Sequence, residues 1–136
     1  MLGAEHPDTL TTAHDLAASL AYQFKYADAE RIQREVVKAR TLLHGAEHPS
    51  TLASAGNLAL YFSRQHKDAD AEKIYREVLA VQKRVLGPEH PDTLSSATNL
   101  SGTLSFQGKY ADAERIQREV LRVQKLLFGP EHPYTL

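Results

Sequence analysis

One short motif recurs along the chain at a fixed interval of 42 residues. Each copy contains glutamate, histidine and proline in succession, with a glycine two residues before the glutamate and a threonine-leucine pair soon after the proline. The four glutamates are Glu5, Glu47, Glu89 and Glu131. A strict period of roughly 20 to 50 residues is typical of repeat proteins, in which each unit contacts only its neighbours. The sequence therefore predicts a stacked array, whose function depends on the surface that it exposes.

The recurrent glycine divides the chain into three complete copies and part of a fourth. The complete copies are residues 3–44, 45–86 and 87–128, and residues 129–136 match the truncated start of another. We expect the copies to form a single array over residues 1–136. Because the first two residues, Met1 and Leu2, match the end of a copy, we also expect the chain to be a piece of a longer array.

Each copy contains two helical segments. The first is expected to begin at the proline of the motif, because proline is well tolerated at the first helical position and disfavours helix in the residue before it. The histidine at this boundary is expected to bond to backbone groups of the helix start. The second segment begins after Lys25, Lys67 or Lys109, and in the first copy apolar residues then follow at steps of four, three and four. The next glycine is expected to end this helix in a left-handed conformation.

The third copy carries the string Gln107-Gly108-Lys109-Tyr110-Ala111-Asp112-Ala113-Glu114, which resembles a tetratricopeptide repeat. The usual period of that family is about 34 residues, whereas the longer period here and the Gly-x-Glu-His-Pro linker are similar to its kinesin-light-chain-like subclass. The resemblance implies an all-α fold: an α-solenoid of antiparallel helix pairs that follows a right-handed superhelix. It also implies that small residues let the paired helices approach closely. These small residues are Ala17, Ala59 and Ser101 in the first helices and Ala29, Ala71 and Ala113 in the second.

The chain departs from the family pattern at the turn between the paired helices. The glycine that is usual there is present as Gly108, but Phe24 and His66 replace it in the other copies. A residue other than glycine with a positive φ costs on the order of 1 kcal/mol. We therefore expect mild backbone strain at these two turns.

The first helix of each copy carries the positions that differ most between copies. Several of these positions are four residues apart, so they share one face of the helix, and the resemblance implies that this face lines a concave groove that binds peptides. An amide side chain beside it can both donate to and accept from a peptide backbone. The candidate groove residues are His14, Asp15, Ala18, Tyr22, Asn57, Leu60, Arg64, Thr98, Asn99 and Phe106. The alternative, that these are solvent-facing positions with no ligand, stays open.

The residues that could support metal binding or catalysis are arranged unfavourably for it. Equivalent histidines in adjacent copies are expected to lie at least one helix-packing distance apart, about 8–10 Å, whereas zinc requires nitrogen ligands at about 2.0–2.1 Å. The paired carboxylates, such as Asp28 and Glu30, are two residues apart and do not face each other on a helix, so we expect them on a solvated face. The chain also lacks a phosphate-binding glycine loop and a nucleophile elbow. We therefore expect a non-enzymatic protein without a metal or cofactor.

The composition excludes several classes of partner. A formal net charge of −1 argues against a nucleic-acid-binding protein, which would carry a basic stripe. No apolar run approaches the roughly 18 residues of a membrane-spanning helix, so no membrane association is expected. The chain contains no cysteine, which is compatible with a reducing compartment, and we expect a cytoplasmic protein.

These observations predict a protein–protein interaction scaffold that binds a peptide or a partner domain in the groove of the first helices. The alternative is a structural or self-assembly module whose copies associate end to end through the array ends. By resemblance, such an array could belong to a longer protein that also carries a nucleotide-binding signalling module. The residues themselves contain no sign of that module.

Overall fold

The computed structural model describes residues 6–129, which form six α-helices and no strand. The helices are α1 (Pro7–Tyr22), α2 (Tyr26–His44), α3 (Pro49–Arg64), α4 (Asp68–Val85), α5 (Pro91–Phe106) and α6 (Tyr110–Phe128). The all-α prediction and the predicted helix starts are confirmed. The chain divides into two compact units, residues 1–74 and 75–136. The division into three copies of one array stays a prediction.

The histidines of the recurrent motif cap the first helix of each copy. The Nδ1 atoms of His6, His48 and His90 accept hydrogen bonds from the backbone N–H two residues later, at 3.1, 3.0 and 3.0 Å. Each histidine has an extended backbone, with φ between −67° and −66°. The cap satisfies one of the N–H groups that have no partner within the helix. The structural role expected for these residues is confirmed, while His132 lies outside the described residues.

The glycine after the second helix has a conformation that differs from the expected one. Gly45 has φ 90° and ψ 161°, and Gly129 has φ 85° and ψ 163°. The expected positive φ is confirmed, but the expected left-handed helical conformation is wrong, because ψ lies near 160°. This region of backbone space is almost exclusive to glycine. The N–H of Gly45 donates to the carbonyl of Thr41 at 2.9 Å, which closes the end of α2.

Replacement of Gly45 with alanine is expected to lower the free energy of unfolding by about 1–3 kcal/mol. A Cβ built on Gly45 meets no atom within 4 Å, so backbone strain is the only source of this loss. The measurement is urea unfolding followed by far-ultraviolet circular dichroism.

Gly56→Ala is the matched control for that substitution. Gly56 lies inside α3 and an added Cβ there also meets no atom within 4 Å. Because helical glycine costs roughly 0.5–1 kcal/mol relative to alanine, this variant should be more stable than the parent. Equal effects of the two substitutions would contradict the assignment of strain to Gly45.

The short turns between paired helices have the strained backbone that the sequence predicts. Phe24 and His66 have φ of 62° and 63°, and Gly108 has φ 77° in the corresponding turn. Each turn is closed by a backbone hydrogen bond of 2.9 Å from the lysine that follows to a carbonyl near the end of the first helix. The bond from Lys25 to Leu20 is the example in the first copy. These closures hold the strained residues in place.

The core of the first unit forms where α2 packs between α1 and α3. Ala17 and Ala29 are fully buried there, in a cluster with the ring of Tyr61. In the second unit α5 packs on α6, with Leu100 and Leu104 buried. The six small residues predicted at the helix contacts are all buried: Ala17, Ala29, Ala59, Ala71, Ser101 and Ala113.

Candidate peptide-binding groove

A groove of about 360 Å³ lies between α1 and α3 in the first unit. One wall comes from α1 and the start of α2, and the other from α3. The lining residues are Ala18, Ala21, Tyr22, Tyr26, Asn57, Leu60, Tyr61 and Arg64. Five of these eight were predicted from the sequence: Ala18, Tyr22, Asn57, Leu60 and Arg64. The groove therefore brings together the variable positions of the first helices of copies one and two.

The groove exposes a large apolar surface beside a cation. Tyr22, the last residue of α1, is 87% exposed, and Leu60 is also exposed. Arg64 occupies the last turn of α3, where a positive charge complements the helix dipole. Tyrosine and arginine are enriched among the residues that dominate the binding energy of protein-binding surfaces.

His14 lies half-buried behind the groove and organises it. Its Nδ1 atom lies 3.3 Å from Nε2 of Gln33, which also donates to the carbonyl of Ser54 at 3.0 Å. Its Nε2 atom lies 3.4 Å from the amide nitrogen of Asn57. Burial lowers the pKa of His14, the charge of Arg40 lowers it further, and Asp15 opposes them.

A neutral His14 ring contacts the side-chain amides of Gln33 and Asn57. A neutral imidazole accepts at one nitrogen and donates at the other. The side-chain nitrogen atoms of Gln33 and Asn57 lie next to Nδ1 and Nε2, so the ring accepts from one of these amides and contacts the other. His14 is thus a positioning residue and does not line the groove, although the sequence placed it among the groove candidates.

The remaining candidates lie elsewhere on the molecule. Asp15 is exposed on α1 and does not line the groove. Thr98 and Asn99 line a second depression, of about 310 Å³, between α5 and the end of α6 in the second unit. Phe106 is exposed at the end of α5 and lines neither depression.

Sequence reasoning missed three lining residues, which are Ala21, Tyr26 and Tyr61. Ala21 and Tyr61 lie on first helices but outside the face that the four-residue spacing selected. Tyr26 begins the second helix and differs from its equivalent Asp68 in copy two, but the groove residues were predicted from the first helices alone. A search for aromatic residues near the ends of the first helices would have found Tyr26 and Tyr61.

Glu30 does not lie on the solvated face expected for it. Its side chain is only 9% exposed and accepts hydrogen bonds from Nε of Arg34 at 2.7 Å, Nε2 of Gln65 at 2.9 Å and Nζ of Lys67 at 3.0 Å. Burial raises the pKa of Glu30, but these three hydrogen bonds outweigh burial and lower it to about 2. The ionised carboxylate therefore ties α2 to the turn that follows α3.

Arg34 and Lys67 also contact the ring of Phe62. The guanidinium carbon of Arg34 lies 4.9 Å from the centre of the ring, and Nζ of Lys67 lies 5.8 Å from it. Both distances are within the range of cation–π attraction. Arg64 is the last residue of α3. Contacts of Glu30, Arg34 and Lys67 with Phe62 and Gln65 therefore stabilise the end of α3 that contributes Arg64 to the groove.

Within residues 6–129, no group of three or more histidine and acidic side chains is arranged to hold a metal ion. None of the helices in this described part is long and apolar enough to cross a membrane.

The fold and the groove define a helical-repeat protein of the kind that presents a surface to other proteins. The sequence profile of the tetratricopeptide repeat family matches residues 8–84 and 63–126. The chain therefore belongs to the tetratricopeptide repeat family. Proteins of this family are generally non-enzymatic scaffolds that bind protein partners.

Solved structures place the chain near the kinesin-light-chain-like members of that family. Two crystal structures of a kinesin-light-chain-related protein of Podosopora anserina with nearly identical TPR-like repeats match with TM-scores of 0.90 and 0.89, at 28% identity. Each match covers 99% of this chain but only 64% of the other chain. This chain thus spans less than two thirds of the length of those relatives.

Two more distant structures share the fold alone. BtubC (BKLC) from P. vanneervenii matches with a TM-score of 0.82 at 19% identity, over 95% of this chain and 51% of that one. The TPR domain of Arabidopsis FLU matches with a TM-score of 0.75 at 14% identity, over 86% of this chain and 95% of that one. No curated protein matches the chain significantly.

Proposed function

We propose that the chain binds an extended peptide segment of a partner protein in the groove between α1 and α3. The observation that carries this proposal is the convergence of exposed Tyr22 and Leu60 with Asn57 and Arg64 along one depression. An apolar side chain of the ligand packs on Tyr22 and Leu60. The side-chain amide of Asn57 hydrogen-bonds to the ligand backbone, and Arg64 pairs with a ligand carboxylate.

The chemistry of the lining supports a peptide more than a flat protein surface. The exposed ring of Tyr22 and the partly exposed ring of Tyr26 line the groove, together with the buried ring of Tyr61. Such rings provide apolar contact area with little loss of conformational entropy on binding. A pre-oriented amide reduces the ordering cost further. The groove is also short, so it accommodates only a few ligand residues.

The test begins with peptides selected by display against the parent protein. Their dissociation constants are then measured by fluorescence anisotropy, at protein concentrations low enough to exclude self-association. Tyr22→Ser and Leu60→Ser should each weaken binding roughly tenfold, because each removes an apolar contact at the centre of the site. Since both side chains are exposed, the melting temperature should change little.

Leu16→Ser is the matched control. Leu16 is an exposed leucine on α1 and does not line the groove. This variant should bind the selected peptides as tightly as the parent. Selected peptides whose affinity is unchanged by both groove substitutions would show that the groove is not the binding site.

The depression that contains Thr98 and Asn99, and the exposed Phe106, stay candidate contacts for a longer ligand. The cytoplasmic location expected from the lack of cysteine also stays a prediction.

A further inference from the structure

The first unit has a second groove, of about 640 Å³, between α1 and α2. Its apolar lining includes Leu10, Ala13, Ile32, Val36 and Ala39, and the exposed Glu35 lies at its edge. None of these residues lines the peptide groove. The α1–α2 groove, as we call it, is thus a separate apolar surface of the same unit.

The third copy contains the same groove, and there a neighbouring helix contributes to it. The residues 84 positions later line a depression between α5 and α6, namely Leu94, Ala97, Ile116, Val120 and Val123, with Glu119 beside them. Leu79 and Lys83 of α4 complete this lining. Leu79 is buried. The second unit thus shows which kind of helix this type of groove accepts.

The helix α6 carries the same two side chains as α4 at the corresponding places. Leu121 and Lys125 follow Leu79 and Lys83 by one period of 42 residues. In α6 both side chains are exposed, and Leu121 is 37% exposed. The chain therefore displays both an open groove and a helix face of the type that this groove accepts.

We propose that two copies of this chain associate head to tail, with α6 of one copy seated in the α1–α2 groove of the next. Leu121 of the first copy enters the apolar lining around Leu10 and Val36 of the second. Lys125 of the first copy then lies beside Glu35 of the second. The equivalent residues, Lys83 and Glu119, line one depression in the second unit. Opposite charges at this position favour a single register.

The charge pair in the second unit supports this register. The hydrogen bond from Arg122 lowers the pKa of Glu119, and the charge of Lys83 lowers it further. Lys83 and Glu119 are therefore close enough to interact electrostatically. The proposed contact reproduces this pair between two molecules.

The proposed contact joins two different surfaces, so each added copy leaves one groove and one α6 face free. A heterologous contact of this kind forms open chains unless its rotation closes a ring. The average mass measured by sedimentation equilibrium should therefore rise steadily from micromolar to near-millimolar concentration. A monomer mass that stays constant over this range would overturn the proposal.

Leu121→Glu should lower the association constant by at least about tenfold, because it places an unpaired charge in the apolar groove. The matched control is Leu126→Glu, which changes an exposed leucine of the same helix. The position one period before Leu126 is Arg84, which does not line the depression in the second unit. Association that is unchanged by Leu121→Glu, or equally weakened by both variants, would overturn the proposal.

A charge exchange tests the register even if Leu121→Glu fails to fold, since Glu35 and Lys125 are both exposed. Glu35→Lys and Lys125→Glu should each weaken association about fivefold, which is the upper range for an exposed ion pair. The double variant should recover the parent value. If the double variant has a lower association constant than either single variant, the proposed register is wrong. Tyr22→Ser should leave association unchanged, so this test is independent of peptide binding.

Discussion

Replacement of Tyr61 with alanine is expected to lower the free energy of unfolding by about 3–5 kcal/mol, the range measured for buried aromatic residues. Tyr61 is 3% exposed and packs on Ala17 and Ala29, both fully buried. Because these two alanines have no side chain beyond Cβ, they cannot fill the space that the ring leaves. The loss therefore includes a cavity as well as the lost burial of the ring.

The measurement is urea unfolding at concentrations where the chain is monomeric. Tyr61→Phe keeps the ring and is expected to retain most of the stability. Ser19 occupies the same position in copy one and is exposed, so Ser19→Ala should change stability by less than about 0.5 kcal/mol. A loss below about 1 kcal/mol for Tyr61→Ala would contradict the packing described for this cluster.

The second large effect is expected at Glu30 and depends on pH. The pKa of Glu30 falls from an ordinary value of 4.5 to about 2 in the folded protein. Because the folded pKa is lowered, the stabilisation is fully present above about pH 4.5. It is lost as the pH falls towards about 2. The shift corresponds to about 3 kcal/mol, and we expect 2–3 kcal/mol because Arg34 and Lys67 are themselves about half exposed and screened by solvent.

Glu30→Gln should therefore be less stable than the parent by about 2–3 kcal/mol near pH 7, and the difference should fade as the pH approaches 2. Urea unfolding at a series of pH values measures both curves. Glu114→Gln is the matched control, because Glu114 is the equivalent residue of copy three and its side chain is 60% exposed. If the two variants show the same pH dependence, the buried hydrogen bonds of Glu30 are not its cause.

The helix boundaries were predictable because the residues that set them are local. The caps of α1, α3 and α5 each involve a histidine and the N–H two residues later. The turn strain at Phe24 and His66 was equally local. The pattern indicated the positive φ of Gly45, but it did not define ψ, which depends on how the chain enters the next helix.

The environments of Glu30 and Tyr61 were not predictable from local sequence. Glu30 and Glu114 lie in the same string, Tyr-Ala-Asp-Ala-Glu-Arg-Ile-Gln-Arg-Glu-Val, yet Glu30 is buried and Glu114 is exposed. The difference arises from Gln65 and Lys67, which bond to Glu30 from 35 and 37 residues away. Tyr61 is buried because copy one places two alanines, Ala17 and Ala29, against its ring.

The candidate groove was partly predictable for a related reason. The four-residue spacing identified Ala18 with Tyr22, and Leu60 with Arg64, because residues one turn apart share a face. The spacing could not distinguish the side chains that line the groove from a side chain that only contacts a lining residue. His14 is such a side chain, through its contacts with Gln33 and Asn57.

The histidine cap has a consequence for how such a protein can change in length. Donor and acceptor of each cap lie within three consecutive residues, so the cap hydrogen bond itself does not depend on the preceding copy. Duplication or loss of one whole period would join two boundaries whose helix caps are already complete. Array length can therefore vary without new mutations to repair the helix ends.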